Sequence, residues 1–159
     1  MKVLFIDDMD AALERGLKIA EAAGHEVQTI NSCQFSQDDW YRGRELPPEL
    51  EEALVWADVL VSDRDMVDSN EQEVDGSLFL VQILLRWVDH WEDGHSFFAM
   101  VRWTGAESYS SSHLKALGVH CFSKSSYYGH LERFMEKPAS NFLGALSAFE
   151  TINDPIIFS

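Results

Sequence analysis

Basic residues are scarce in this 159-residue chain, with 12 Lys and Arg against 27 Asp and Glu and a formal charge of −15. Affinity for nucleic acid comes largely from cations that displace phosphate counterions, and docking on anionic lipid needs the same sign of charge. The composition argues against both. Cysteine is nearly missing: Cys33 and Cys121 stand alone, without CxxC spacing, so neither a disulfide framework nor a zinc site is indicated and both thiols are read as reduced. The six histidines show no HxxxH or HxH spacing, which removes the common zinc arrangements. Long apolar runs are also lacking. The first, Val3-Leu4-Phe5-Ile6, is broken at once by acids, too short for a signal peptide, and nothing approaches the roughly 20 apolar residues of a membrane helix. With no repeat, low-complexity tract or linker, the expectation is a single cytoplasmic domain over residues 1–159 whose partner is a protein or a small cation.

What the chain does have is core material: 46% of it is apolar, including ten Phe and five Trp, enough to bury a sizeable interior. Short apolar runs alternate with helix-patterned segments, the signature of a parallel sheet covered on both faces in three layers. Strands are expected over Lys2–Ile6, Glu26–Ile30, Asp58–Ser62, Phe97–Val101 and Val119–Ser123. A helix over Ala11–Ala23 carries Leu13, Leu17 and Ala20 on one stripe, with Asp10 as its cap and Gly24 as its terminator. Pro47-Pro48 can open a second helix through Trp56, and further helices fit Gly76–Val88 and Ser110–Leu117. Phe142, Leu143, Leu146 and Phe149 space a last helix before an apolar tail, Asp154–Ser159. The stretch from Asn31 to Arg44 reads as polar turn. Asp65, Asp68, Glu71, Glu73 and Asp75 read as a solvated acidic loop, and the tryptophans as core or helix-face residues.

In a parallel α/β sheet, ligands bind beyond the carboxyl ends of the strands, near the point where strand order reverses. Five polar residues stand at expected strand ends: Asp7 and Asp8, Asp63, Thr104 and Lys124. Adjacent carboxylates repel and raise one another's pKa unless a positive charge lies between them. Three such groups suit a hard cation bound through oxygen, while a lysine and a hydroxyl suit anionic oxygens. Magnesium prefers few carboxylates together with waters and phosphate oxygens, so the set fits transfer of a phosphoryl group onto an aspartate.

The order Asp7-Asp8, then Asp58-Val-Leu-Val-Ser-Asp63-Arg-Asp-Met66, then Asp75-Gly76-Ser-Leu-Phe-Leu, then Thr104-Gly-Ala106, then Gly118-Val-His-Cys-Phe-Ser-Lys124 resembles the receiver domain of two-component response regulators. The resemblance spans about residues 2–150. It implies a flavodoxin-like (βα)5 fold with strand order 2-1-3-4-5. It further implies Asp63 as phosphoacceptor, Asp8 as a direct Mg2+ ligand, Asp7 as a ligand through water, Asp65 as a ligand through its backbone carbonyl, Thr104 as the switch hydroxyl and Lys124 as the phosphoryl-binding cation. The implied partners are a histidine kinase or histidine phosphotransfer protein and a downstream protein target, with no nucleic acid and no membrane. The chain departs from the pattern at Val67 and Ser125, where receivers usually carry proline. The segment between Asp63 and Asp75 is about five residues longer than usual, and Cys121 rather than Phe122 falls at the usual switch-aromatic position. Two other readings use the same residues. A receiver-like interaction module would dispense with phosphorylation. A haloacid-dehalogenase-type phosphatase would use Asp8 as nucleophile and Asp10 as acid, leaving Asp63 and Asp75-Gly76 without a purpose.

Overall fold

The computed structural model describes residues 1–41, 46–89, 97–105 and 112–140. Five parallel strands form the central sheet: β1 (Lys2–Asp7), β2 (Glu26–Asn31), β3 (Val59–Ser62), β6 (Ala99–Thr104) and β7 (His120–Ser123), in the spatial order β2-β1-β3-β6-β7. This is the 2-1-3-4-5 order expected for a flavodoxin-like sheet. A small antiparallel hairpin, β4 (Asp65–Val67) and β5 (Glu73–Asp75), lies between β3 and the next helix.

Alternation along the strands sends side chains to both faces, and both faces are dry. Val3, Phe5, Val59, Val61, Val101 and Trp103 pack beneath α1 (Asp10–Ala22) and α6 (His130–Glu136), which contribute Leu13, Ala20, Leu131, Phe134 and Met135. Leu4, Ile6, Leu60 and Met100 face the other way. Over them lie α2 (Gln37–Tyr41), α3 (Pro48–Trp56), α4 (Gly76–Asp89) and α5 (Ser112–Ala116), with Leu50, Leu54, Phe79, Leu80, Ile83 and Leu114 buried against the sheet. Three layers result.

Several boundaries differ from the sequence reading. Asp10 does not cap α1: Met9 occupies the cap position without a side-chain hydrogen bond, and Asp10 lies in the first turn, where a carboxylate still complements the helix dipole. Gly24 ends that helix as expected, with φ at 88°. Between Asn31 and Tyr41 the polar stretch folds into a 3-10 turn (Ser32–Gln34) and α2. Trp40 is completely buried there, edge-on to Phe35 and Phe79, its indole N–H donating to the Ser32 carbonyl at 3.1 Å.

The acidic segment after β3 is not a solvated loop throughout. Met66 and Val74 face each other across the hairpin and enter the core at 2% and 1% exposure. Asp68 is buried at its turn, with Oδ1 accepting from the Asn70 and Gln72 amides at 2.8 Å each and Oδ2 from the Gln37 amide at 2.6 Å. Burial opposes its charge, but those backbone donors outweigh it and hold the carboxyl below the ordinary aspartate range. Ser32 Oγ donates to the Val67 carbonyl and the Ser69 amide to the Phe35 carbonyl, so the two stretches read as separate loops form one unit.

Helix α6 has no counterpart in the sequence reading, and the helix read around Phe142–Phe149 lies outside the described residues, as does the tail Asp154–Ser159. No helix among the described residues is long and apolar enough to cross a membrane.

Candidate functional site

Four neighbouring strands, β1, β3, β6 and β7, end side by side, and the carboxyl end of each carries a polar residue. Asp7 closes β1, Asp63 follows β3 directly, Thr104 closes β6 and Lys124 follows β7. Strand order reverses between β1 and β3, the position at which parallel sheets open a crevice.

The side chains meet there. Lys124 Nζ lies 2.6 Å from Asp7 Oδ2 and 3.0 Å from Asp63 Oδ2, so one ammonium bridges two nearly buried carboxylates. Their other oxygens accept backbone amides: Asp7 Oδ1 from Met9 at 3.0 Å, Asp63 Oδ1 from Arg64 at 2.8 Å. Asp8 is half-buried beside them, and one carboxylate oxygen from each of Asp7, Asp8 and Asp63 lies within 4.8 Å of the others.

Three carboxylates against one ammonium leave two negative charges in excess, in a site where burial already works against charge. Burial pushes the Asp7 carboxyl up, against the pull of Lys124. Burial also raises Asp63, and the Asp7 charge adds to it while Lys124 opposes. Lys124 is itself desolvated, yet its bonds to both carboxylates hold its pKa above the ordinary lysine value. Three clustered carboxylates with a single ammonium between two of them could hold a further cation. The all-oxygen donor set, with at least one partly exposed carboxylate, fits magnesium, which keeps several of its waters.

The remaining predicted residues take distinct places. Thr104 is buried, and its carbonyl accepts the Lys124 amide at 2.9 Å. Asp65 is half-exposed on β4, its carboxylate paired with Arg64 at 2.6 Å. It lines a cavity of about 510 Å³ together with Asp8, Gln37, Tyr41 and both hairpin strands. Asp10 accepts from the Asn31 side chain at 2.9 Å. Strand alternation separates the candidate switch pair: Trp103 pairs with Phe122 on the α1–α6 face, while Thr104, one residue on, points to the other face, where Cys121 packs.

Several supporting residues escaped the sequence reading. Asn31 donates to the Asp8 carbonyl at 3.2 Å as well as to Asp10, tying β2 to the acidic turn. Gly76 lies so close to the end of β3 that an added Cβ would fall 1.7 Å from the Asp63 carbonyl oxygen. The Asp75-Gly76 doublet was a visible signal for it. Arg15 and Trp103, which contact the Lys124 segment, had no signal in spacing at all.

No family model matches the sequence, and no curated protein matches it. Among solved structures, a response regulator receiver domain protein from Clostridium thermocellum is similar at 18% sequence identity, over 99% of this chain and 98% of that one, with a TM-score of 0.52. The chemotaxis protein CheY4 of Vibrio cholerae aligns over 95% of this chain and 94% of its own at 18% identity and a TM-score of 0.45. The first likeness establishes the fold: this chain has the architecture of a receiver domain.

Proposed function

We propose that this protein is a phosphoacceptor signalling domain of the two-component type, taking a phosphoryl group onto Asp63 and acting through protein–protein contacts. The observation that carries this reading is the ammonium of Lys124 held between Asp7 and Asp63 at adjoining strand ends, at 2.6 and 3.0 Å.

In the reaction an Asp63 carboxylate oxygen attacks phosphorus in line with the leaving group. The new O–P bond forms as the bond from phosphorus to the donor breaks, and the donor leaves with the bonding pair. The donor is a histidine-phosphorylated kinase or phosphotransfer protein, or a small acyl phosphate. Asp63 supplies the nucleophile and takes no proton. Lys124 meets the charge on the phosphoryl oxygens, and the Thr104 hydroxyl is their further partner. Asp8 would hold magnesium directly, Asp7 through water and Asp65 through its backbone carbonyl. When bound, the ion would supply charge neutralisation for the incoming phosphoryl oxygens. The protein is thus a substrate of its partner rather than a turnover enzyme, and its output is the docking of a target protein.

Treatment with acetyl phosphate and magnesium chloride, read by intact mass, should add one phosphoryl group to the wild type and none to Asp63→Asn. Equal labelling of both would remove Asp63 from the role. Catalytic hydrolysis of p-nitrophenyl phosphate that survives Asp63→Asn but not Asp8→Asn would instead establish the phosphatase chemistry.

A further inference from the structure

Lys124 leaves the end of β7 on a long flexible side chain, so its usefulness depends on what fixes the segment that carries it. The backbone is held on both sides of the residue. Its amide donates to the Thr104 carbonyl at 2.9 Å, and its carbonyl accepts from Arg15 Nη1 at 2.5 Å, across 109 residues of sequence.

Arg15 makes three contacts at once. Besides the Lys124 carbonyl, it reaches Glu132 of α6 with Nη2 at 3.7 Å, and its guanidinium carbon lies 5.2 Å from the Trp103 ring centroid. Trp103 is 3% exposed and edge-on to Phe5 of β1 at 6.1 Å, so the ring cannot swing away. The Lys124 ammonium lies 5.5 Å from the same ring. One immobile indole therefore stands within cation–π range of two cations.

We propose that Arg15 and Trp103 are positioning residues for phosphoryl transfer, pinning the Lys124 backbone and presenting its ammonium at the mouth between Asp7 and Asp63. The inference rests on the reading of Asp63 as acceptor. The residue types suit the task. A planar guanidinium with five donors can bond a carbonyl, pair with a carboxylate and stack on a ring together, which an ammonium cannot. An aromatic face attracts the lysine without neutralising it. A further carboxylate in that place would add to the hold that Asp7 and Asp63 already have on the ammonium, whereas the indole adds no competing charge.

The test is the rate of Asp63 labelling by acetyl phosphate at saturating magnesium, measured as maximal rate and donor half-saturation, with thermal melts alongside. Arg15→Ala and Trp103→Leu should lower the maximal rate about 10- to 100-fold, the range for a misplaced reacting group, with half-saturation nearly unchanged. Arg15→Lys keeps the charge but loses the fork, so it should not restore the rate; it also serves should Arg15→Ala not fold. Lys18→Ala, one turn along α1 in an exposed pair with Glu14, should label as wild type does. Folded Arg15→Lys and Trp103→Leu proteins with wild-type maximal rates would overturn the positioning role while leaving Asp63 as acceptor. A wild type that labels no better than Asp63→Asn would overturn the acceptor reading and this inference with it.

Discussion

Lys124 is surrounded by more negative charge than it can cancel, and that imbalance has a measurable sign. In a simple ion pair the acid's pKa falls; here burial keeps Asp7 and Asp63 above the ordinary aspartate value of 3.8. A carboxyl raised on folding binds more protons in the native state, so its contribution to stability falls as pH climbs from the unfolded to the native pKa, and at neutral pH it is a cost. Lys124, also raised on folding, has the same direction of dependence in an alkaline window, but as a gain: it stabilises below its unfolded pKa and loses that contribution as pH climbs through its native one. In EDTA, therefore, Asp7→Asn should melt higher than wild type at neutral pH, by about 2–4 °C for each kcal/mol recovered, and the difference should shrink toward pH 4. Thermal melts across that range decide it; an Asp7→Asn protein that melts lower than wild type at neutral pH in EDTA would contradict a net cost of burying the Asp7 charge. The carboxylates behind this imbalance were legible in the chain because each follows a recognisable strand. Arg15 and Trp103 were not, since an arginine on a helix face and a tryptophan in a strand look the same whether or not they meet a lysine.

The hairpin β4–β5 shows why a short element can be present without a readable pattern. Each strand has three residues, so alternation amounts to one buried position, Met66 between Asp65 and Val67 or Val74 between Glu73 and Asp75; that pattern resembles a polar loop. The same brevity hid α6, seven residues whose buried positions are Leu131, Phe134 and Met135. The junction of the hairpin with α4 is tightly constrained. Asp75 Oδ1 accepts from the Ser77 and Leu78 amides at the start of α4, and the Gly76 amide donates to the Arg64 carbonyl at 2.7 Å. Because a Cβ on residue 76 would overlap the Asp63 carbonyl, Gly76→Ala should cost about 1–3 kcal/mol, the usual penalty of overpacking. It should also slow Asp63 labelling, since the backbone that must shift is the one carrying Asp63. Denaturant melts and the labelling rate test both, and wild-type values in each would show that the approach is slack.

The chain's charge of −15 gathers at its most sensitive point where Asp7, Asp8 and Asp63 converge, so cation binding should register in the stability of the entire fold. A ligand that binds only the native state adds RT ln(1 + [L]/Kd), about 2.7 kcal/mol at a hundredfold excess over Kd. Magnesium should raise the melting temperature of the wild type, and Asp8→Ala should lose that response. An undiminished response in Asp8→Ala would place the cation elsewhere.

The succession of strands and helices, the covering of both sheet faces and the carboxylates at strand ends are consequences of local pattern: apolar runs of strand length, helical spacing between them and acids where the runs stop. Residues on neighbouring strands must then share one crevice, because parallel strands all point their carboxyl ends the same way. The company those residues keep is different in kind. That Lys124 bridges Asp7 and Asp63, that Arg15 reaches it from 109 positions away, that Phe122 faces away from Thr104 and that Asp68 is taken into the interior by the Gln37 amide depend on register, on which face each side chain takes and on packing between distant segments. Hydrogen bonds and charge pairs act over a few ångströms, and only the closed fold brings such groups within that distance.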